Sequence, residues 1–457
     1  MIKGLKAFGK RIGLFFTHFS QGDLITKASY VVMGLGQLLR GQWVKGVAYL
    51  GVQLVFIFYM LVSGVSSILG LGTLGTKLQE RVWSEERGIF VVQPGDNSML
   101  MLLFGVAAIF VVLAFVIVYW MSVSGSYQNQ MTLEAGKKPL NFRQEIDVYL
   151  NEKYHITVLA LPVFLTFLFT IVPLVFMILL AFTNFDRFHQ PPGNLFTWVG
   201  FENFTAALWK DPLKSKTFID LLIWTLIWAV FATVLNYIFG MVLAIMINKK
   251  GIKLKRFWRT IFVVTIAVPQ FVSLMLMSQL LADQGTLNVI LQEMNLIDKF
   301  LPFLSDPTMA KVTVIVVNLW VGVPYSMLIT SGILMNIPTD LYESAKIDGA
   351  NAWVQFWKIT LPYMLFVTGP YLITQFIGNI NNFNVIYLLT RGGPLSLEYF
   401  QAGKTDLLVT WLYKLTVNEQ NYSLASTIGI FIFMLSAFFS LIVFNKTAST
   451  QKEDDFQ

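Results

Sequence analysis

Leu341-Tyr342-Glu343-Ser344-Ala345-Lys346-Ile347-Asp348-Gly349-Ala350, followed by Phe356, Ile359, Leu361 and Pro362, forms a polar stretch between two long apolar runs, 312–335 and 363–389. Pro338-Thr339-Asp340 supplies a helix start, with Asp340 as N-cap and Glu343 three residues on, as in a capping box. Leu341, Ala345 and Ile347 give that helix an apolar face. Gly349 then permits a bend that a residue with a Cβ resists. A second short helix over 351–359 carries Trp353, Phe356 and Trp357, and Pro362 is expected to stop it. Two short helices joined at a glycine, with exposed aromatics and a carboxylate, make a docking element.

The surroundings of this stretch are those of a membrane protein. A helix needs roughly 20 apolar residues to cross the hydrocarbon core. Eight runs qualify: 44–69, 99–123, 156–182, 219–247, 257–281, 312–335, 363–389 and 423–444. The run 28–39 is too short and glycine-rich to cross, and either lies in the interface or re-enters. Of the 457 residues, 55% are hydrophobic and 13% charged, against about 25% charged in soluble chains. Much of the surface therefore faces lipid. The expected fold is an all-α polytopic membrane protein. Residues 1–150 hold an N-terminal cytoplasmic or interfacial segment and two transmembrane helices, and 151–457 hold six more, with the polar loop at 337–362.

Orientation follows from lysine and arginine. Lys249, Lys250, Lys253, Lys255, Arg256 and Arg259 crowd one loop that has no acidic residue, which the positive-inside rule places in the cytoplasm. Parity then puts both termini inside, in agreement with Lys3, Lys6, Lys10 and Arg11 at one end and Lys446 and Lys452 at the other. The segment 336–360 falls inside, and 183–217, 282–311 and 390–422 fall outside. The net charge of +7 is thus a matter of orientation. No basic stripe with interleaved aromatics is present, so no nucleic-acid partner is expected. With no cysteine, disulfides, thiol catalysis and Cys-based metal sites are excluded. The basic N-terminus is not followed by a short apolar core and a small-residue cleavage site, so no cleaved signal peptide is expected.

From the fourth run onward no ionisable residue lies deep in an apolar stretch. That argues against an ion-coupled carrier and against a membrane-embedded hydrolase with paired acids. His18, His155 and His189 share no motif, so no catalytic residue and no metal ligand is expected. The later runs carry uncharged polarity instead: Asn318 in the sixth, and Gln375, Asn379, Asn381 and Asn382 in the seventh. Amides in lipid must be paired, either as glue between helices or along a water-filled path. Neutral donors and acceptors beside Trp320, Tyr325 and Phe383 suit a neutral polyhydroxyl solute. Pro269, Pro324 and Pro370, with Gly322, Gly369 and Gly378, are expected to interrupt the helices that line such a path.

The opening stretch resembles the EAA loop of binding-protein-dependent ABC importer permeases, with its E-A-A, D-G-A and I-x-L-P steps. Ser344 stands where alanine is usual. The resemblance implies a type I importer permease fold and a coupling helix that sits in a cleft of an ATPase subunit, contacted through Glu343, Ser344, Ala345, Asp348, Gly349 and Ala350. The chain carries no ATPase itself. Gly403-Lys404-Thr405 ends like a phosphate-binding loop, but Glu398 occupies the place of the first glycine. No cofactor is expected on this chain, and ATP and Mg belong to the partner.

The likeness extends over 154–449. Trp198-Val199-Gly200-Phe201-Glu202-Asn203-Phe204, Asn318 to Tyr325, Asn381-Asn382-Phe383, Leu389 to Pro394 and Gly403 to Leu408 resemble the larger permease of maltose/maltodextrin importers. That resemblance implies a second related permease, two ATP-binding cassette subunits, an extracellular sugar-binding protein and alternating access driven by ATP. It also implies an oligosaccharide site at Asn318, Gly322, Tyr325, Gln375, Gly378, Asn379 and Asn382. Gly378 stands where an aromatic residue is expected and Gln375 where a serine is, so a galacto-oligosaccharide is the alternative cargo. The segment 183–217 is too short for the large outer domain of some members. This implies a lipid-anchored binding protein in the membrane of a Gram-positive cell. Gly34-Leu35-Gly36 with Lys45-Gly46 resembles an N-terminal extension of Gram-positive relatives.

Overall fold

The computed structural model describes residues 13–249 and 251–446. Lys3, Lys6, Lys10, Arg11, Lys250 and Lys452, used above for orientation, lie outside them. Among the described residues six helices are long and apolar enough to cross a membrane, seven if a helix pair bent by 88° is counted as one span. The chain groups by contact into two units, Met1–Trp198 and Val199–Gln457. The third crossing helix therefore falls in the first unit.

The first unit opens with α1 (13–21) and two short helices, α2 (Leu24–Ala28) and α3 (Leu35–Leu39). The run 28–39 does not cross. Its ends are pinned to the long helix α5 (Ser98–Glu134) by buried polar contacts. Ser29 Oγ meets Ser126 Oγ at 3.1 Å, Gln37 Nε2 donates to the Ser122 carbonyl at 2.7 Å, and Arg40 donates to the Ser126 carbonyl. Asp23 receives the Arg40 guanidinium at 2.7 Å. A Cβ on Gly36 would fall 1.9 Å from Ser126 Oγ, so the contact requires glycine. The crossing helix α4 (Trp43–Thr73) returns through a hairpin of β1 (Glu80–Ser84) and β2 (Ile89–Gln93) into α5. The amphipathic α6 (Phe142–Leu150), closed by an Asn141–Gln144 capping box, leads into α7 (Tyr154–Leu180). The first three expected crossings are thus present. α5 runs past its expected end at 123 because the polar turns after it hold the N-terminal segment.

In the second unit α8 (Pro212–Asn248) is the central helix. Asp211 caps it, accepting from the Leu213 and Lys214 amides at 3.1 and 3.2 Å, with proline at the first helical position. Asp306 and Pro307 start α12 (Pro307–Leu334) in the same way. The two helices pack along each other on a stripe of small and polar residues spaced by four: Ala232, Asn236, Gly240 and Ala244, all buried. Close approach through small residues is how membrane helices gain packing energy where lipid removes the hydrophobic drive. A Cβ on Gly240 would meet Ser326 Cβ at 2.4 Å. Trp224, Trp228, Leu221 and Trp411 build the apolar core around α8.

Between α8 and α12 lie α9 (Lys255–Ala267) and α10 (Gln270–Leu280), joined at Pro269 with the 88° bend, and then α11 (Thr286–Glu293). After α12 come α13 (Thr339–Ile347), α14 (Ala352–Gln355), α15 (Leu361–Ile380), α16 (Phe383–Thr390), α17 (Leu408–Val417) and α18 (Tyr422–Lys446). Pro269 therefore breaks its helix as expected. Pro324 and Pro370 do not, for both sit inside continuous helices. One lost N–H is tolerated where neighbouring helices and hydroxyl groups surround the freed carbonyl. The expected seventh crossing, 363–389, is built as α15 and α16, separated at Asn381 and Asn382.

Candidate functional site

The loop 337–362 has the two-helix form expected, with changes at both ends. α13 starts at Thr339 with Pro338 at the N-cap and no side-chain cap, so Asp340 lies in the first turn and does not cap it. Proline's fixed backbone places the chain for helix entry without the Asp340 carboxylate. The helix ends in a left-handed Gly349 (φ 78°), with the Ala350 amide donating to the Ala345 carbonyl at 2.8 Å. Asn351 then caps α14 by accepting from the Val354 amide at 2.9 Å.

Pro362 does not stop that helix. A π turn over Phe356–Thr360 joins α14 to α15, and Pro362 sits in the first turn of α15, where its missing N–H costs little. One helical path thus runs from Ala352 to Ile380. Tyr342 OH meets Thr360 Oγ1 at 2.9 Å and ties α13 to its start. Glu343, Ser344, Asp348 and Gly349 are exposed, and Ala345 and Ala350 are half-buried. Ile347 faces outward at 87% exposure, with Leu341, Trp353 and Trp357 also exposed. The expected apolar face of Leu341 and Ile347 is therefore a free surface, while Tyr342 and Ala345 pack inward.

On the helices at either end of this loop a cavity of about 400 Å³ opens, lined by Asn318, Gly322, Tyr325, Gln375, Asn379 and Asn382. Six of the seven sugar-contact candidates thus meet in one space. Gly378 does not line it, and a Cβ there would meet nothing within 4 Å. Tyr325 and Trp320 offer half-exposed rings to the cavity. Phe383, grouped with them from sequence, belongs instead to an aromatic cluster with Tyr387 (4.7 Å) and Tyr413 (4.9 Å).

The amides divide by role. Asn379 donates to Thr233 Oγ1 at 3.0 Å and its backbone carbonyl accepts from Trp228 Nε1 at 3.1 Å. Asn382 caps α16 through the Val385 amide at 3.2 Å and donates to Asn379 Oδ1 at 3.3 Å. Asn381 bonds back to the Ile377 carbonyl and is exposed. Interhelical pairing thus accounts for Asn379. Asn318 differs: it is 2% exposed and its Nδ2 has no hydrogen-bond partner in the chain. Asn236 on α8, 8% exposed, likewise leaves its Oδ1 without a partner and lines the same cavity.

A buried polar atom left unpaired costs about 1–3 kcal/mol. Asn318 on α12 and Asn236 on α8 thus bring an unpaired donor and an unpaired acceptor into the wall of one cavity, and a hydroxyl, both donor and acceptor, has the chemistry to satisfy either. Asn236 is not among the amides expected from sequence, which come from the sixth and seventh runs. It is a polar residue within the fourth apolar run, so the same argument would have found it. Gln270, Ser273 and Thr265, around the Pro269 break, also line the cavity. Among the described residues no cluster of His, Asp, Glu or Cys could hold a metal ion.

Two other stretches singled out from sequence pack against each other. Gly392 and Gly403 lie back to back: a Cβ on Gly403 would fall 2.0 Å from the Gly392 carbonyl oxygen. Thr405 Oγ1 donates to the Gly393 carbonyl at 2.6 Å, and Lys404 sits over the Tyr399 ring at 3.9 Å. Gly403-Lys404-Thr405 is thus a wall of this loop packing.

Residues 236–448 match the family model described as binding-protein-dependent transport system inner membrane component. The chain is 35% identical over 426 residues to the galactooligosaccharides transport system permease protein GanP of Bacillus subtilis, covering 93% of this chain and 97% of that one. It is also 35% identical over 436 residues to the maltodextrin transport system permease protein MalC of Streptococcus pneumoniae, covering 93% and 96%. Among solved structures, a bacterial ABC transporter involved in the import of the acidic polysaccharide alginate superposes with a TM-score of 0.54 at 22% identity. That match covers 67% of this chain and 98% of that one.

Proposed function

This chain belongs to the family of binding-protein-dependent transport system inner membrane components, as a multi-pass permease subunit of an ABC importer, and on that premise we propose that its cavity carries a neutral oligosaccharide. Maltodextrin is the first reading and a galacto-oligosaccharide the second. The observation that carries the proposal is the pair of unpartnered buried amide atoms, Asn318 Nδ2 and Asn236 Oδ1, in a cavity ringed by uncharged groups. An acidic cargo would find no cation among the lining residues. Similarity to GanP and the open space beside Gly378 favour the second reading to the extent that a missing ring widens the choice of sugar.

In this reading Asn318, Gly322, Tyr325, Gln375, Asn379 and Asn382 contact the sugar, with Gly378 near its path. Glu343, Ser344, Ala345, Asp348, Gly349 and Ala350 meet a partner ATPase, which holds ATP and Mg. The coupling loop joins α12 and α15, both walls of the cavity, and helix 352–380 is continuous. A push on α13 therefore reaches Gln375 and Asn379 through one rigid element and the Tyr342–Thr360 bond. Alternating access requires that nucleotide on the partner favour one arrangement of these helices. The remaining assembly would be a second permease, a second ATPase and an extracellular sugar-binding protein. The core of transport is 151–457, both termini are cytoplasmic, and the setting is the membrane of a Gram-positive cell.

ATPase stimulation of the reconstituted complex tests the cargo. Binding protein loaded with maltotriose, a galacto-oligosaccharide or raffinose is added in turn. Stimulation by maltotriose supports the first reading, and stimulation by the galacto-oligosaccharide alone replaces it with the second. No response to any of the three contradicts a neutral oligosaccharide.

A further inference from the structure

A second cavity of about 400 Å³ lies in the first unit, where α4 begins and α5 ends, and its chemistry is opposite to that of the first. Lys45, Lys137, Lys138 and Lys153 line it, against one carboxylate, Glu145. Lys45 Nζ pairs with Glu145 Oε1 at 2.6 Å, which leaves three lysines without an acidic partner on the lining. Lys153 lies 5.7 Å from the Tyr149 ring centroid, and Lys137 and Lys138 are exposed.

The floor is built, not incidental. Gln42 is 7% exposed, donates to the Leu140 carbonyl at 2.8 Å and to Glu145 at 3.1 Å, and accepts from Asn129 Nδ2 at 2.8 Å. These bonds fix the start of α4, the end of α5 and α6 around one cationic mouth.

The place of this mouth identifies its ligand. α4 and α5 are crossing helices, so the cavity stands at the end of their apolar spans. α6 beside it shows Phe142, Ile146, Tyr149 and Leu150 on one face, between 39% and 52% exposed. An amphipathic helix with an exposed apolar stripe lies in the membrane interface. Cationic groups at headgroup depth beside apolar surface match a phosphate with acyl chains attached, and basic pockets among transmembrane helices are known to take such headgroups.

We propose that this cavity seats the phosphate headgroup of an anionic phospholipid, held by Lys137, Lys138 and Lys153, with its chains along the apolar stripe of α6. The bound lipid fastens α6, and with it the Gln42 floor, to the bilayer.

The test uses the full chain in nanodiscs of phosphatidylcholine with increasing phosphatidylglycerol, reading retained phosphatidylglycerol by native mass spectrometry. The triple variant Lys137→Ala/Lys138→Ala/Lys153→Ala removes exposed side chains only. It is expected to weaken retention on the order of 100-fold, from the contribution of each lysine near a charged surface. Lys249→Ala/Lys253→Ala, in another basic loop, should leave retention unchanged. Equal retention by the triple variant, or an equal loss in the Lys249/Lys253 control, overturns the site. Inorganic phosphate added in detergent distinguishes the source: protection against thermal unfolding by phosphate equal to that by phosphatidylglycerol would make this a free-phosphate site and overturn the lipid assignment.

Discussion

Lys414 donates to Asp406 Oδ2 at 2.5 Å with both side chains withdrawn from solvent, Asp406 completely. Gly403 N–H (2.7 Å) and Thr410 Oγ1 (2.8 Å) complete the carboxylate's partners. Burial pushes the Asp406 carboxyl up from its ordinary value, and Lys414 and these hydrogen bonds pull against it. A Cβ on Gly392 would fall 1.8 Å from Asp406 Oδ1, so the loop is folded tightly over the pair. Leaving one buried charge without its partner costs about 3–5 kcal/mol. Asp406→Ala should therefore lower the melting temperature of the purified chain sharply, and Asp406→Ala/Lys414→Met should recover part of the loss. Equal destabilisation by the two variants would show that the pair is not coupled.

The crossing of α8 and α12 makes a second prediction. A Cβ on Gly322 would lie 1.9 Å from Asn236 Nδ2, inside any allowed contact. Overpacking of this kind costs about 1–3 kcal/mol. Gly322→Ala should be destabilising alone and close to neutral with Asn236→Ala, when thermal unfolding of both is compared. Additive losses in the double variant would refute the contact.

Gly378 offers the reverse case. A side chain there has open space, so Gly378→Phe should fold normally and place a ring near the cavity lined by Gln375 and Asn379. The expected result is an unchanged melting temperature with an altered order of ATPase stimulation among maltotriose, galacto-oligosaccharide and raffinose. An unchanged order means that Gly378 does not take part in sugar choice.

At the coupling loop, Gly349 holds a left-handed conformation (φ 78°) with room for a Cβ. The cost of Gly349→Ala is therefore conformational, about 1–2 kcal/mol, and falls on the angle between α13 and α14. Membrane insertion should be normal while co-purification of the ATPase weakens. Wild-type co-purification would show that the turn is not required for docking.

The sequence carried most of this because hydrophobic run length and charge placement act locally. The first four expected crossings, the sixth and the last appear as single helices, and Pro269 breaks its helix at the residue expected. What stayed hidden depends on neighbours. Pro324 and Pro370 sit in unbroken helices because the surrounding bundle absorbs a missing N–H, and no single-helix argument reveals that. Pro362 fits the first turn of α15 through a π turn that has no simple sequence signal. Asp340 loses the cap to Pro338 by a two-residue shift. Asn236 is legible as an amide within an apolar run, whereas its approach to Gly322 exists only in the packed pair. The cationic cavity draws on four segments between Gln42 and Lys153, so residue spacing does not disclose it.

In the proposed function, exposed Glu343 on α13 couples an ATPase to a sugar cavity walled by the helices on either side. Uptake of labelled maltotriose and of a labelled galacto-oligosaccharide into ATP-loaded proteoliposomes of the full complex tests it most directly. The wild type should accumulate at least one of these sugars only when ATP is present. Glu343→Ala should insert and assemble its own helices yet accumulate neither. ATP-driven uptake by Glu343→Ala at the wild-type rate would contradict the account.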